Sequence, residues 1–189
     1  TEDTTTGTAF YDDVDTLTAQ VDVESIRQQY GTASIGYLIF LPVEGASYSI
    51  LHYQEDGSNY LNEFSCLYLY DSYEGEKTYN SPTVYAHEIL HLFGAADLYV
   101  GSRDTFVTQP LAQYVLNTWP DAIMYYTYNS DNGISYDHIE KTLCPLTAYR
   151  LVLVYSFPGS EQFPAATQDP PGVFSNGAGQ NWTASDEAA

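Results

Sequence analysis

Apolar and polar positions along the chain divide it into short segments. In VDVESIRQQY, 21–30, Val21, Ile26 and Tyr30 fall near helical spacing and Gly31 can cap the end, which predicts a helix. SIGYLIFLPV, 34–43, is an apolar run stopped by Pro42 and predicts a buried strand. SYSILHYQ, 47–54, and EFSCLYLYDS, 63–72, predict two more strands, separated by the turn signal EDGSNY. YEGEKTYN, 73–80, reads as a polar connection. Ser81 and Pro82 then start a helix, serine as cap and proline at the first helical position, which ends at Gly94. TQPLAQYVLNT predicts another helix, and 120–133 is turn-rich around an apolar centre. Residues 135–155 predict a long helix bent or restarted at Pro145. From Phe157 onward Pro, Gly, Ser and Ala dominate, as in a loosely packed extension or linker. Strands first and helices later predict an α+β fold.

Composition narrows the reading. The chain has 189 residues with a 44% hydrophobic share, enough for one domain with a core and too much for a disordered one. Its net charge is −20 with only five Lys and Arg, which argues against nucleic acid or an anionic membrane as partner. No apolar run is long enough for a transmembrane helix, and no stretch reads as a signal peptide. Met124 is the sole methionine, so we expect a mature or excised piece of a longer precursor. The Thr-rich, acidic start resembles the linker after a leader or lipid anchor, or is an arbitrary boundary. The 19 tyrosines suit either half-buried β structure or recognition of extended chains. Cys66 and Cys144 allow one disulfide or two buried thiols, and both alternatives stay open at this level.

The chemistry concentrates in VYAHEILHLFGAADLY, 84–99. On a helix, residues four apart share a face, so His87 and His91 can reach one ion. Glu88 lies one position round, close enough to take a proton from a water at that ion. This is why the H-E-x-x-H spacing serves metal-assisted hydrolysis. Catalytic zinc needs a third protein ligand and an open position. Gly94 can take a positive φ and turn the chain back, letting Asp97 return to the metal. A later-helix glutamate, the third ligand of thermolysin-type enzymes, is excluded: Asp97, Asp104, Asp121, Asp131 and Asp137 are the only carboxylates between Glu88 and Glu140. His52 and His138 stand alone and read as surface or satisfied histidines. YDDVD, 11–15, and SDNG, 130–133, read as solvated acidic turns rather than calcium loops.

His87, Glu88, His91, Gly94 and Asp97 together resemble the metzincin zinc metallopeptidase motif in its variant with Asp as third ligand, similar to snapalysin-type and immune-inhibitor-A-type bacterial secreted peptidases. The resemblance covers 82–97 firmly and 121–128 more loosely. It implies a two-lobed α+β catalytic domain filling the chain. That domain would have an N-terminal lobe over about 9–94, a C-terminal lobe over about 95–157 and an extended tail over 158–189. A twisted mixed sheet would pack on an active-site helix at about 82–93, with a C-terminal helix after a Met-turn. DAIMYYTYN places Met124 where that turn would be and Tyr126 where some members bind the metal or the oxyanion. The implied activity is zinc-dependent endopeptidase: Zn²⁺ on His87, His91 and Asp97, Glu88 as general base, Tyr126 as oxyanion donor. A peptide substrate would lie extended along an edge strand, 47–54 or 63–72. The implied location is secreted or cell-surface, the implied state monomeric. The alternatives are a non-catalytic binding or adhesion domain with a structural zinc, and a metal hydrolase of non-peptide amides.

Overall fold

The structure is a computed structural model, and it describes residues 8–31, 35–50, 63–73, 76–102, 104, 106–128, 135–151, 153–154, 156–157, 160, 173–175 and 181–183. Its elements are α1 (Thr8–Thr18), α2 (Val23–Tyr30), β1 (Gly36–Glu44), β2 (Tyr48–Ile50), β3 (Glu63–Tyr73) and β4 (Glu76–Tyr79). They continue with α3 (Pro82–Leu92), α4 (Gln109–Thr118), α5 (Pro145–Arg150), β5 (Val173–Ser175) and β6 (Asn181–Thr183). The fold is α+β with a mixed sheet. β3 runs through the middle, parallel to β1 and antiparallel to both β2 and β4. Tyr70 pairs with Glu44 on one side and Tyr79 on the other, so β4 shares a side of β3 with β2.

Side chains alternate across a strand, so β3 serves two layers. Phe64, Cys66 and Tyr68 face a cluster with Val14 and Phe10 of α1 and Tyr37, Ile39 and Leu41 of β1. Ser65 turns the other way, toward α3, where it approaches Glu88. A second cluster forms beyond α3 from Ala95, Leu98, Val115, Ile123, Met124, Cys144 and Leu146, against which Ala86 and Leu90 of α3 pack. Thus α3 lies between the sheet and this second cluster. A hydrogen bond of 3.0 Å from the Tyr128 hydroxyl to Asp71 Oδ2 joins the segment after Met124 to β3. Burial first, and that bond second, push the Tyr128 hydroxyl up to about 12. At Gly45 a Cβ would collide with the Tyr68 ring, so the β1–β2 connection passes there only as glycine.

Several local expectations need correction. The sequence pattern gives no sign of α1: among its described side chains it buries Val14 and Thr18, beneath an acidic outer face that includes Asp12, Asp13 and Asp15. β1 runs through Pro42 to Glu44 and is not buried; among the described residues it is an edge strand, where a missing N–H is tolerated, and its register breaks between Leu41 and Glu44. Its Phe40 is 60% exposed. The connection 73–80 contains β4, which folds back on β3. Because β3 is flanked on both sides, 63–72 is not an edge; β2 is the described part of 47–54. EDGSNY, His52 and SDNG lie outside the described residues.

Ser81 occupies the cap position of α3, but its hydroxyl is buried and makes no capping bond. The long helix over 135–155 is absent: residues 136–144 are extended or bent, held by a bridge between Ala122 and Thr142, and Pro145 starts α5 rather than bending a helix. The C-terminal stretch includes a β5–β6 hairpin. Cys66 and Cys144 are free, buried thiols in different clusters. Among the described residues no helix is long and apolar enough to cross a membrane.

Candidate metal centre

α3 starts with Pro82, whose fixed φ suits the first turn. Its buried face carries Thr83, Val84, His87 and Glu88. The helix ends in a paired-bond turn: the Gly94 N–H donates to the His91 carbonyl at 2.8 Å and the Ala95 N–H to the Leu90 carbonyl at 3.0 Å. Gly94 sits at φ +89°, a backbone region that side chains with a Cβ disfavour. The chain reverses there and brings Asp97 back over the last turn of the helix.

The turn also orients the histidines. His91 Nδ1 lies 2.7 Å from the Ala95 carbonyl, and His87 Nδ1 lies 2.9 Å from the Ile123 carbonyl. A carbonyl can only accept, so both Nδ1 atoms carry the hydrogen, and in the neutral rings both Nε2 atoms present lone pairs. The two Nε2 atoms are 3.2 Å apart. Asp97 Oδ1 lies 3.2 Å from His87 Nε2 and 3.4 Å from His91 Nε2. Asp97 Oδ1 is buried and meets no hydrogen-bond donor while both histidines are neutral, whereas Oδ2 accepts from the Tyr99 hydroxyl at 2.8 Å.

Three lone-pair atoms thus face one another in a nearly equilateral triangle. With neutral histidines this arrangement is repulsive unless a cation sits among them. Tetrahedral zinc with bonds of about 2.0–2.1 Å would hold its ligand atoms roughly 3.3 Å apart. The donor set, two neutral imidazoles and one carboxylate oxygen, suits the same ion. His87, His91 and Asp97 are the one group of His, Cys, Asp and Glu among the described residues that could hold a metal. Among the described residues no other carboxylate, imidazole or thiolate joins them as a fourth ligand.

Glu88 stands beside this triangle on a buried site. Burial is the largest influence and pushes its carboxyl up; His87, His91 and a bond from Ser49 pull the other way without cancelling it. Asp97 is also buried, yet the hydrogen bonds and charges of His87 and His91 outweigh that and hold it well below the usual carboxylate range. For His91 burial opposes the charged form, but Asp97 and Glu88 overcome it and raise its pKa.

The residues singled out in the sequence are distributed unevenly. His87, Glu88, His91 and Asp97 come together. Met124 is wholly buried behind them, and its carbonyl accepts the Leu98 N–H at 2.8 Å, fastening the returning segment. Tyr126 is 56% exposed, and its ring stacks on Tyr125 rather than on the triangle. His138 is an exposed histidine beside Asp137. Asp104 is close enough to interact with Asp97 and Arg150 but belongs to no ligand group. Two contributors escaped sequence reasoning. Ser49 Oγ lies 2.7 Å from the Glu88 carbonyl and 3.0 Å from Glu88 Oε2, and Ser65 Oγ lies 3.3 Å from the same carbonyl. Nothing in the strand pattern marks these serines, because the contact depends on sheet register. No protein family, curated protein or solved structure matches this chain.

Proposed function

We propose that the protein is a zinc-dependent endopeptidase of the metzincin type, with Asp97 as third ligand. The observation that carries this reading is the triangle of His87 Nε2, His91 Nε2 and Asp97 Oδ1, with edges of 3.2–3.4 Å, beside a buried glutamate. Zinc bound there would act as a Lewis acid on a water and on a peptide carbonyl. Glu88 takes the proton of the attacking water and hands it to the leaving amine. Its burial favours that task, because a raised carboxyl pKa makes it a stronger base. The anionic Asp97 donates more charge than a third histidine, and the Tyr99 bond to Oδ2 draws part of that charge away. The turn at Met124 plays the part of the Met-turn, an apolar floor tied to the ligand segment through Leu98. Tyr126 is assigned the hydrogen bond to the oxyanion, its exposure leaving the ring able to turn. An extended peptide pairs along β2, next to Glu88. This reading carries an extracellular location with it.

The test is metal analysis together with cleavage of a peptide library by the wild-type protein and Glu88→Gln. Wild type is expected to bind one zinc and cut internal bonds. Glu88→Gln should keep the zinc and lose roughly 10²–10⁴-fold in rate. Zinc binding with no cleavage of any peptide would replace this reading with that of a binding domain.

A further inference from the structure

Resting on the peptidase reading above, we infer that Ser49 is a positioning residue for Glu88, fixing which oxygen of the general base faces the reaction. Ser49 lies on β2 directly across from Ser65 on β3, and both hydroxyls sit between the sheet and α3. Ser49 Oγ is within 2.7 Å of Ser65 Oγ, 2.7 Å of the Glu88 carbonyl and 3.0 Å of Glu88 Oε2. A serine hydroxyl has one hydrogen to give. The Glu88 carboxylate has none, so Oε2 needs a donor at that contact, and Ser49 stands there. The Glu88 carbonyl also only accepts, so the one Ser49 hydrogen lies between that carbonyl at 2.7 Å and Oε2 at 3.0 Å; turned to Ser65 it would leave oxygen lone pairs facing each other in a mostly buried place. Ser65 resolves the competition. Its own hydrogen reaches Ser49 Oγ at 2.7 Å, so Ser49 accepts there and keeps its hydrogen for the two Glu88 oxygens.

The consequence is geometric. A glutamate side chain has three rotatable bonds, and α3 fixes only its backbone. The Ser49 bond holds Oε2 and leaves Oε1 for the water. The base is thereby registered to the sheet as well as to the helix. Ser49 also stands on the strand along which the peptide is proposed to pair, so base and substrate share one reference frame. Displacing a reacting group by about 1 Å costs on the order of 100-fold in rate.

Ser49→Ala and Ser49→Thr test this. Ser49→Ala should keep zinc affinity and KM close to wild type and lower kcat by about 10- to 100-fold. Ser49→Thr keeps a hydroxyl on the same Cβ and should recover most of the loss. Crystal structures of the zinc-free variants supply a readout apart from activity. The Glu88 carboxylate should leave its place in Ser49→Ala and return in Ser49→Thr. An unchanged kcat in Ser49→Ala, a Thr variant as slow as the Ala variant, or a Glu88 carboxylate that stays in place without Ser49 overturns the inference while leaving the peptidase reading intact. A wild-type protein that cleaves no peptide overturns the peptidase reading and the catalytic role of Ser49 with it, whatever the crystals show of the carboxylate.

Discussion

The His87 imidazole donates its Nδ1 hydrogen to the Ile123 carbonyl across 2.9 Å, tying α3 to the residue just before Met124. The Leu98 N–H returns the tie to the Met124 carbonyl. The helix, the segment carrying Asp97 and the Met124 turn therefore order one another. A cation held by His87, His91 and Asp97 would join two of these three pieces directly and the third through a backbone bond.

Asp97→Ala removes the one anionic atom in the triangle. Zinc affinity is expected to fall on the order of 100-fold or more, since even partners outside the ligand set are worth 10- to 100-fold. Competition with a chromophoric chelator measures it. Unchanged affinity would remove Asp97 from the site.

Gly94→Ala places a Cβ on a residue at φ +89°. Left-handed backbone costs a residue with a Cβ about 1–2 kcal/mol. Urea denaturation should show a loss of that size, and zinc affinity should fall too, because the turn sets the His91 tautomer and the return of Asp97. Wild-type affinity in this variant would mean that Asp97 reaches the site without the turn.

The zinc-free and zinc-loaded proteins should respond oppositely to pH. Asp97 is depressed below its usual 3.8 despite burial, because His87 and His91 bond to it. Its contribution is present above pH 3.8 and disappears as pH falls through the lowered value. His91 is raised above 6.5: burial works against its charge, and Asp97 and Glu88 outweigh burial. Its contribution is complete below pH 6.5 and is lost as pH rises through the raised value. In the zinc-free protein this pair therefore stabilises most between pH 3.8 and 6.5. Zinc requires both histidines neutral, so the rise in Tm on adding zinc should grow with pH across that upper limit. Thermal melts from pH 5 to 8, with zinc or with chelator, test this; an increment that is flat with pH would speak against histidine ligation.

Cys66 and Cys144 should behave as inert thiols. Burial pushes the Cys66 thiol up, and Cys144 stands at the cap position of α5 with its sulfur 3.3 Å from the Thr147 hydroxyl. Native protein should react slowly with a thiol reagent and unfolded protein should yield both thiols. Reductant should leave the Tm unchanged; a drop would reveal a disulfide.

Local signals were legible where one turn of chain carries them. α2 with its Gly31 cap, the span of α3 and the left-handed Gly94 follow from spacing and from glycine at the right place. Segments whose fate depends on distant partners were not. The apolar run of β1 looked buried, yet α3 covers β3 and β2 and leaves Phe40 half uncovered. Residues 136–144 had helical composition, but pairing with Ala122 claimed Thr142 first. β4 looked like a polar loop because its partner strand, not its own pattern, makes it a strand.

The candidate site divides the same way. The sequence alone determined which residue types could meet a cation, because a helix puts His87 and His91 on one face and a glycine lets the chain return with Asp97. Only the tertiary structure decided which nitrogen of each histidine points inward, that Ser49 reaches Glu88, and that the two thiols lie in separate clusters. Helical periodicity acts over one turn of chain. Carbonyl placement and strand register arise from packing between segments far apart in sequence, and no local spacing encodes them.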